Sequence, residues 1–306
     1  MGRADAALAR RGLSAAASPA ASPAGWSALA AASRCEVERV PFSIGGRQLG
    51  SVARTHLGAL ERWPELLIVD DNGVALRVAA DERDAALAPV NQALRAQGLV
   101  RAWRDEIFPI FDPQTLQPLA RIERAAARFW GTLTLGAHCT GYVADGQGRP
   151  LRLWIAQRSF DKATDPGCFD NLVGGGVPAD QSPHEALLRE GWEEAGLPRT
   201  VMQRAAPGRV IRLQRDIPEG FQHEWLYSWD LALRADEVPA NQDGEVARFR
   251  LLDVEQAAEL AAGDTMTVDA ALVTLDFLLR HRLLAADAQA RLEAAAAPLW
   301  VSVTHP

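Results

Sequence analysis

The sequence is poor in cysteine and in long apolar segments. Only three cysteines occur among its 306 residues, and they are odd in number and far apart: Cys35, Cys139 and Cys168. This excludes a disulfide framework and favours a reducing compartment, so we expect a cytoplasmic protein. No apolar run approaches the roughly 18 residues that a transmembrane helix needs, so no membrane partner is expected.

An excess of basic residues is also missing. The formal net charge is −7 and the pI is about 5.5. This balance argues against a nucleic-acid partner, because binding to phosphate backbones requires clustered Lys and Arg. What is present is an apolar content of 48% and a charged content of 23%, which is typical of globular proteins.

The first part of the chain divides into two regions. Residues 1–33 are rich in Ala, Ser, Pro and Arg, which predicts a low-complexity, disordered extension, with a transit peptide as the alternative. Residues 34–122 carry two hairpin signals, a Gly45-Gly46 turn and a turn around Asn72-Gly73, and a helical pattern from Asp81 to about Gln97. We therefore expect a small α+β domain over residues 34–122.

The second domain is predicted over residues 123–306. It opens with an expected connector, Arg124 to Phe129, and a long alternating strand, Thr132–Val143. A basic loop follows the next strand, and its Arg158 and Lys162 could neutralise phosphate oxygens. The alternative is an ordinary solvated loop.

A glycine-rich loop and a capped helix follow. Ser182 is a good N-cap, Glu185 completes a capping box, and Gly196 can end the helix in the left-handed conformation. The pattern predicts a helix from about Pro183 to Ala195.

Three carboxylates lie on one side of this helix. Glu190, Glu193 and Glu194 stand at i, i+3 and i+4, and their repulsion grows with burial unless a cation shares the site. Oxygen ligands suit Mg²⁺ or Mn²⁺, which also accept substrate phosphates. The alternative is an ion-pair ladder of Glu185, Arg189 and Glu193 on a solvated helix.

A later strand, His223–Leu233, has aromatic residues at alternate positions: Trp225, Tyr227 and Trp229. This aromatic face either belongs to the core or lines a pocket for a flat ring. His223 and Glu224 are adjacent, but neighbours in a strand point to opposite faces, so an acid/base pair is not expected. After the strand, Glu245 lies in a polar turn with Asp243 close by.

The segment from Gly174 to Leu197 resembles the Nudix box. The matching residues are Gly175, Arg189, Glu190, Glu193, Glu194, Gly196 and Leu197. Two positions depart from it, because Gln181 replaces a glutamate and Gly191 replaces an aliphatic residue. The resemblance implies an α+β protein: a C-terminal Nudix α/β/α sandwich, with a mixed sheet between helices, preceded by a small α+β domain.

The resemblance also implies site roles. Mg²⁺, or Mn²⁺, would be held by Glu190, Glu193 and Glu194 with the carbonyl of Gly175. Arg189 would hold a neighbouring carboxylate in position. Glu245 or a box glutamate would accept the proton of the attacking water, with Asp243 as the second loop candidate. A homodimer is expected only because many Nudix proteins form one.

Five further segments resemble one Nudix subfamily, the thiamine-pyrophosphokinase-related group. They are ERAAARFWG, HCTGYV, QRS..K..DPG, NQDGEV.RFRLLDV and TLDFLLRH, and the match spans roughly residues 35–285. In that group the missing loop glutamate is itself expected. The resemblance implies hydrolysis of thiamine diphosphate, or preferentially its oxidised analogues, to monophosphates. The alternatives are a nucleotide or sugar diphosphate, an isomerase that uses Cys168, and a non-catalytic ligand-sensing module.

Overall fold

The computed structural model describes residues 19–303 and residue 305. Its helices are α1 (Ser27–Ala31), α2 (Leu57–Leu60), α3 (Arg83–Ala96), α4 (Arg124–Trp130), α5 (Pro183–Glu193), α6 (Arg199–Met202), α7 (Val254–Ala262), α8 (Val268–Arg280) and α9 (Ala286–Ala296). Within these described ranges, no helix is long and apolar enough to cross a membrane.

The strands fall into three sheets. In chain order they are β1 (Arg39–Ile44), β2 (Arg47–Ala53), β3 (Leu67–Asp70), β4 (Gly73–Leu76), β5 (Ile107–Phe111), β6 (Pro118–Glu123), β7 (Leu133–Ala144), β8 (Pro150–Arg158), β9 (Phe169–Asp170), β10 (Val173–Gly176), β11 (Ala206–Ile217), β12 (Gly220–Ala232), β13 (Val246–Asp253) and β14 (Trp300–Val301).

A mixed eight-stranded sheet forms the centre of the C-terminal part. Its main path is β13-β8-β7-β12-β11-β14, with β9 paired to β8 and β10 paired to β7. β7 and β12 run parallel, and β10 adds to β7 in antiparallel register, with Gly175 opposite Ala137. The first nine residues of β7 are buried, as expected for a strand covered on both faces.

Helices cover both faces of this sheet. Leu272 of α8 belongs to the core on one face, and Leu187 of α5 belongs to the core on the other. The predicted mixed sheet between helices is therefore confirmed. Tyr227 and Trp229 are 2% and 3% exposed in the core beneath α5, so this aromatic face of β12 is core.

The N-terminal part is a smaller α+β unit. A four-stranded sheet of order β2-β1-β4-β3 shares one core with α3, whose Leu87, Val90 and Leu94 are fully buried. The predicted hairpin turn is present, because Gly45 and Gly46 have φ values of +58° and +77°.

The predicted disordered extension is wrong for residues 19–33. Residues 1–18 of that extension lie outside the described residues. Trp26 is 1% exposed, and with Ala28 and Ala32 it packs in the core that α7 and α8 form on the sheet. The alanine-rich composition favours a prediction of disorder. Small apolar side chains such as alanine can nevertheless pack closely against a layer of helices.

The segment predicted as a connector is the helix α4, which is a second correction. The Glu123 carboxylate accepts a hydrogen bond from the Ala125 N–H, and Gly131 ends the helix with a φ of +57°. Phe129 and Trp130 are buried in the N-terminal core. α4 therefore belongs to the N-terminal unit by packing, while it leads directly into β7 of the large sheet.

Candidate active site

The predicted capping box starts α5. The Ser182 hydroxyl accepts from the Glu185 N–H at 3.2 Å, and the Glu185 carboxylate accepts from the Ser182 N–H at 2.8 Å. The helix ends at Glu193, two residues earlier than predicted, with Glu194 as its C-cap. Because Glu185 is bound to Ser182, the alternative ladder that joins it to Arg189 does not form.

Arg189 lies against two of the box carboxylates. It donates through Nη1 to Glu193 Oε2 at 2.6 Å and through Nη2 to Glu190 Oε1 at 2.9 Å. Its third contact, from Nε, goes to Gln181 Oε1 at 3.1 Å. The glutamine that departs from the box pattern therefore holds the arginine that positions the carboxylates.

Gly191, the second departure, leaves room for a neighbouring side chain. A Cβ on Gly191 would lie 2.6 Å from the sulfur of Met202, which is itself fully buried. Met202 therefore fills the space that an aliphatic side chain on this helix would take.

Two box carboxylates lie against the glycine loop, Glu194 buried and Glu190 half-buried. Glu194 is 5% exposed, and its Oε2 accepts from the Gly174 N–H at 2.9 Å. The Glu190 carboxylate lies so close to Gly175 that a Cβ there would overlap it. Burial and then the charge of Glu190 raise the pKa of Glu194 to about 8. Burial also raises the pKa of Glu190, against the opposing charge of Arg189.

This donor set fits a hard divalent cation. Two repelling carboxylates supply the oxygen ligands that Mg²⁺ and Mn²⁺ prefer, and a cation would relieve the repulsion. In the described part of the chain, no three His, Cys, Asp or Glu side chains stand together as a ready-made cluster. Glu193 is turned to Arg189 and Glu194 faces Lys162, so these two ion pairs hold the carboxylates apart.

Lys162, the single lysine of the sequence, joins the box helix to the later loop. Its Nζ lies 3.6 Å from Glu194 Oε1 and forms a shorter ion pair with Glu245, and its side chain is 9% exposed. Burial raises the pKa of Glu245, but the contact with Lys162 outweighs it and keeps this pKa below the ordinary value. Glu245 therefore lies beside the box carboxylates and is ionised at neutral pH.

The loop that carries Glu245 caps the end of α5. The Gln242 N–H donates to the Glu193 carbonyl at 3.0 Å, which satisfies one of the free carbonyls at the helix end. Asp243 Oδ1 accepts from the Asn241 amide and from the Glu245 N–H, both at 2.8 Å. Asp243 thus shapes the turn, and the turn directs Glu245 toward Lys162.

Arg158 holds its own loop together. It donates to Asp170 Oδ2 at 2.9 Å and to the carbonyls of Thr164 and Asp165 at 3.0 and 3.2 Å. These contacts engage all three guanidinium nitrogens with protein acceptors. Arg158 also lines a cavity beside Gly174–Gly176. A contact between Arg158 and substrate phosphate stays a prediction.

A cavity of about 500 Å³ lies beside Gly174–Gly176, between the N-terminal unit and the large sheet. A second cavity, of about 730 Å³, is lined by Lys162 and Glu245, and Ala102, Arg104 and Ala163 line both cavities. The arginine wall is the set of arginines that line the first cavity: Arg101, Arg104, Arg124, Arg128, Arg158 and Arg215.

Carboxylates line another side of the first cavity. Glu224 Oε2 accepts from Arg128 Nη2 and from the Gln222 amide, both at 2.9 Å, and the same amide donates to Asp269 Oδ2 at 3.0 Å. Burial and the charge of Glu224 raise the pKa of Asp269. Burial lowers the pKa of His223 to about 4, so it stays neutral at physiological pH and shares no ion pair with Glu224.

Sequence reasoning named Arg158 but missed the other arginines of the arginine wall, and it also missed Asp269. Arg124 and Arg128 carried a usable signal, because i, i+4 spacing in a helix places both side chains on one face. Arg104 and Asp269 carried no local motif. Cys168 is half-buried, and burial and the charge of Asp165 raise the pKa of its thiol, which does not favour a nucleophile.

Comparison with known proteins agrees with this geometry. The NUDIX domain model matches residues 135–271, and a model described as a domain of unknown function (DUF4743) matches residues 26–134. Nudix hydrolase 24, chloroplastic, from Arabidopsis thaliana is 35% identical over 254 residues, which cover 81% of this chain and 69% of that protein. Nudix hydrolase 20, chloroplastic, from the same plant is 34% identical over 258 residues, which cover 80% and 68%.

Among solved structures, the crystal structure of DR0079 from Deinococcus radiodurans is 22% identical, with a TM-score of 0.41. The aligned region covers 55% of this chain and 97% of the DR0079 chain. The sequence matches to the two plant proteins span both the N-terminal unit and the box-bearing domain. The chain therefore belongs to the Nudix hydrolase family.

Proposed function

We propose that this Nudix hydrolase cleaves the diphosphate of a small organic substrate and releases a monophosphate and inorganic phosphate. The observation that carries the proposal is the pair of carboxylates, half-buried Glu190 and buried Glu194, which lie against the glycine loop and have raised pKa values. Buried like charges are costly unless a cation and its anionic ligand complete the site. Mg²⁺ is the proposed cation, and Mn²⁺ is the alternative.

The residues of the chain divide the work. Glu190, Glu193 and Glu194 would hold the metal with the Gly175 carbonyl, and Arg189 keeps two of these carboxylates in place. When bound, the metal would screen the diphosphate and lower the pKa of the attacking water.

The proposed proton acceptor is Glu245, in the loop between β12 and β13. Glu245 is ionised because Lys162 lowers its pKa, so it can accept the proton of the attacking water. Lys162 would release Glu194 to the metal and turn toward the developing negative charge on the phosphate. The water oxygen bonds to phosphorus as the bridging phosphorus–oxygen bond breaks, and the monophosphate leaves.

The proposed substrates are thiamine diphosphate and its oxidised analogues. This choice is supported by the sequence resemblance over roughly residues 35–285. It is further supported by the first cavity, which offers arginines for an anionic group and the carboxylates Glu224 and Asp269 for a cationic ring such as a thiazolium. A nucleotide or sugar diphosphate is the competing substrate class.

The test is a substrate panel with Mg²⁺: thiamine diphosphate, oxothiamine diphosphate, ADP-ribose and NADH. Products are separated by anion-exchange chromatography, because ADP-ribose and NADH yield two monophosphates instead of free phosphate. We expect the highest kcat/KM for the thiamine-type substrates. A preference for ADP-ribose or NADH would favour the nucleotide alternative, and no turnover of any compound would contradict the proposed hydrolysis. The expected homodimer is tested by light scattering on the same preparation.

A further inference from the structure

The N-terminal unit sends one loop into the active-site region. This loop, residues 101–106, connects α3 to β5 and lines both cavities. Ala102 and Asp105 have φ values of +57° and +58°, a left-handed conformation that non-glycine residues rarely adopt. Such backbone strain persists only where the surrounding structure imposes it, and it concentrates at functional sites.

A buried carboxylate holds this loop in place. Glu123 is 5% exposed, and it accepts from the Arg104 N–H at 2.8 Å and from the Ala125 N–H at 2.7 Å. Within the loop, the Trp103 indole donates to Asp105 Oδ1 at 2.7 Å. The backbone of Arg104 is therefore fixed independently of its side chain.

Five of the six arginines of the arginine wall have a hydrogen-bond or ion-pair partner within the described chain. Arg124 pairs with Glu106, Arg128 with Glu224 and Arg158 with Asp170, each at 2.9 Å. Arg101 donates to the Gly98 carbonyl at 3.0 Å, and Arg215 donates to the side-chain oxygen of Gln222 at 2.7 Å. The Arg104 guanidinium is half-buried and makes no hydrogen bond or ion pair with any residue of the described chain. Burial and the charges of Arg124 and Arg158 lower its pKa, whereas Glu245 and Glu106 oppose this shift.

We propose that Arg104 binds a phosphoryl group of the substrate, so that the N-terminal unit completes the active site. The half-buried guanidinium faces the junction of two cavities that Gly174–Gly176, Lys162 and Glu245 also line. A planar guanidinium without a protein partner suits a phosphate, which it contacts through paired N–H donors. The inference rests on the proposed function, because it takes the anion to be the diphosphate of the substrate.

Three variants test the proposal: Arg104→Ala, Arg104→Lys and the control Arg62→Ala. Arg62 is an exposed arginine of the same unit that lines neither cavity and stacks on Trp63. Binding of methylenediphosphonate, a diphosphate that cannot be hydrolysed, is measured by calorimetry with Mg²⁺, and KM and kcat are measured with thiamine diphosphate. Inorganic phosphate is titrated in parallel.

We expect Arg104→Ala to weaken diphosphonate binding and to raise KM by about tenfold to a hundredfold, the loss typical of a charged hydrogen bond. Arg104→Lys should recover part of the loss, and Arg62→Ala should leave both values unchanged. A larger loss for diphosphonate than for inorganic phosphate would assign the contact to the substrate. An effect on inorganic phosphate alone would overturn that assignment.

The outcomes separate this inference from the proposed function. If wild-type protein hydrolyses the substrate and Arg104→Ala changes neither KM nor diphosphonate binding, the inference is wrong and the proposed function stands. If no diphosphate is hydrolysed but diphosphonate binding still depends on Arg104, the proposed function fails and the anion site remains. Thermal unfolding of each variant shows whether it is folded; the Glu123 contact to the Arg104 backbone persists in all of them.

Discussion

The two charged sides of the active site are built in different ways. The acidic side comes from five consecutive positions, Glu190 to Glu194, which form the last turn of one helix and its C-cap, and a capping box and a glycine loop support that helix. The arginine wall is assembled from residues more than 100 positions apart, Arg101 to Arg215, which α4, the 101–106 loop and two strands of the large sheet bring together. Helical geometry alone positions the first set, while the second depends on how two units pack.

The two sides also differ in how their charges are balanced. On the acidic side, carboxylates outnumber cations, and burial raises the pKa values of Glu190 and Glu194. On the basic side three of the six arginines have acidic partners, two donate to neutral oxygens, and Arg104 has no side-chain partner in the described chain. The acidic side therefore favours binding of a cation, and the basic side has a guanidinium available to an anionic group.

The comparison predicts that breaking the acidic side has the largest effect. Glu194→Gln should keep the fold and lower kcat by roughly a hundredfold or more, because the buried carboxylate is lost while its shape remains. Steady-state assays with Mg²⁺ and a thermal unfolding scan measure both properties. Glu65→Gln, an exposed glutamate of the N-terminal unit, is the control. Wild-type rates in Glu194→Gln would refute the metal assignment.

Lys162 lies between the acidic side and the proposed proton acceptor, Glu245. The substitution Lys162→Met should lower kcat/KM by about tenfold, as expected for the loss of a charged hydrogen bond. Lys162 lowers the pKa values of Glu245 and Glu194, so its removal raises both. Protonated carboxylates then persist to higher pH, and the acid limb of the pH profile of kcat/KM should shift upward. An unshifted acid limb would show that neither glutamate limits the rate.

A smaller effect is expected at the carboxylates of the first cavity. Asp269 accepts hydrogen bonds from the Gln222 amide and forms no ion pair with a basic side chain of the described residues. The substitution Asp269→Asn removes its negative charge. KM for thiamine diphosphate, whose ring is cationic, should rise severalfold, because the site loses an electrostatic attraction of about 1 kcal/mol. KM for the neutral oxothiamine analogue should stay unchanged, and an equal rise for both substrates would contradict charge recognition.

The smallest effect tests the local support of α5. Ser182→Ala removes the N-cap and should lower the free energy of unfolding by about 1 kcal/mol, the usual cost of losing such a cap. Denaturant unfolding measures this cost, and kcat should stay near the wild-type value because the glutamates lie at the opposite end of the helix. Ser43→Ala, in a strand of the N-terminal unit, controls for loss of a hydroxyl. A large fall in kcat would mean that the cap also positions the carboxylates.

Sequence reasoning succeeded where a few neighbouring residues decide the structure. The start of α5 at Pro183, the Gly45-Gly46 turn and the helix from Arg83 to Ala96 follow from caps, turn residues and periodicity. It failed for α4 and for Trp26. Both segments are rich in alanine, so local signals did not reveal that their aromatic residues pack into two different cores.

The sequence by itself determined the acidic helix, because its caps and the spacing of its glutamates lie in one continuous segment. Through the resemblance to the Nudix box it also indicated the family and the mixed sheet between helices. Only the tertiary structure decided that Gln181 holds Arg189, that Lys162 bridges Glu194 and Glu245, and that Arg104 has no acidic partner in the described chain. Ion pairs between distant segments depend on how sheets and helices pack, and no periodicity in the chain records that packing.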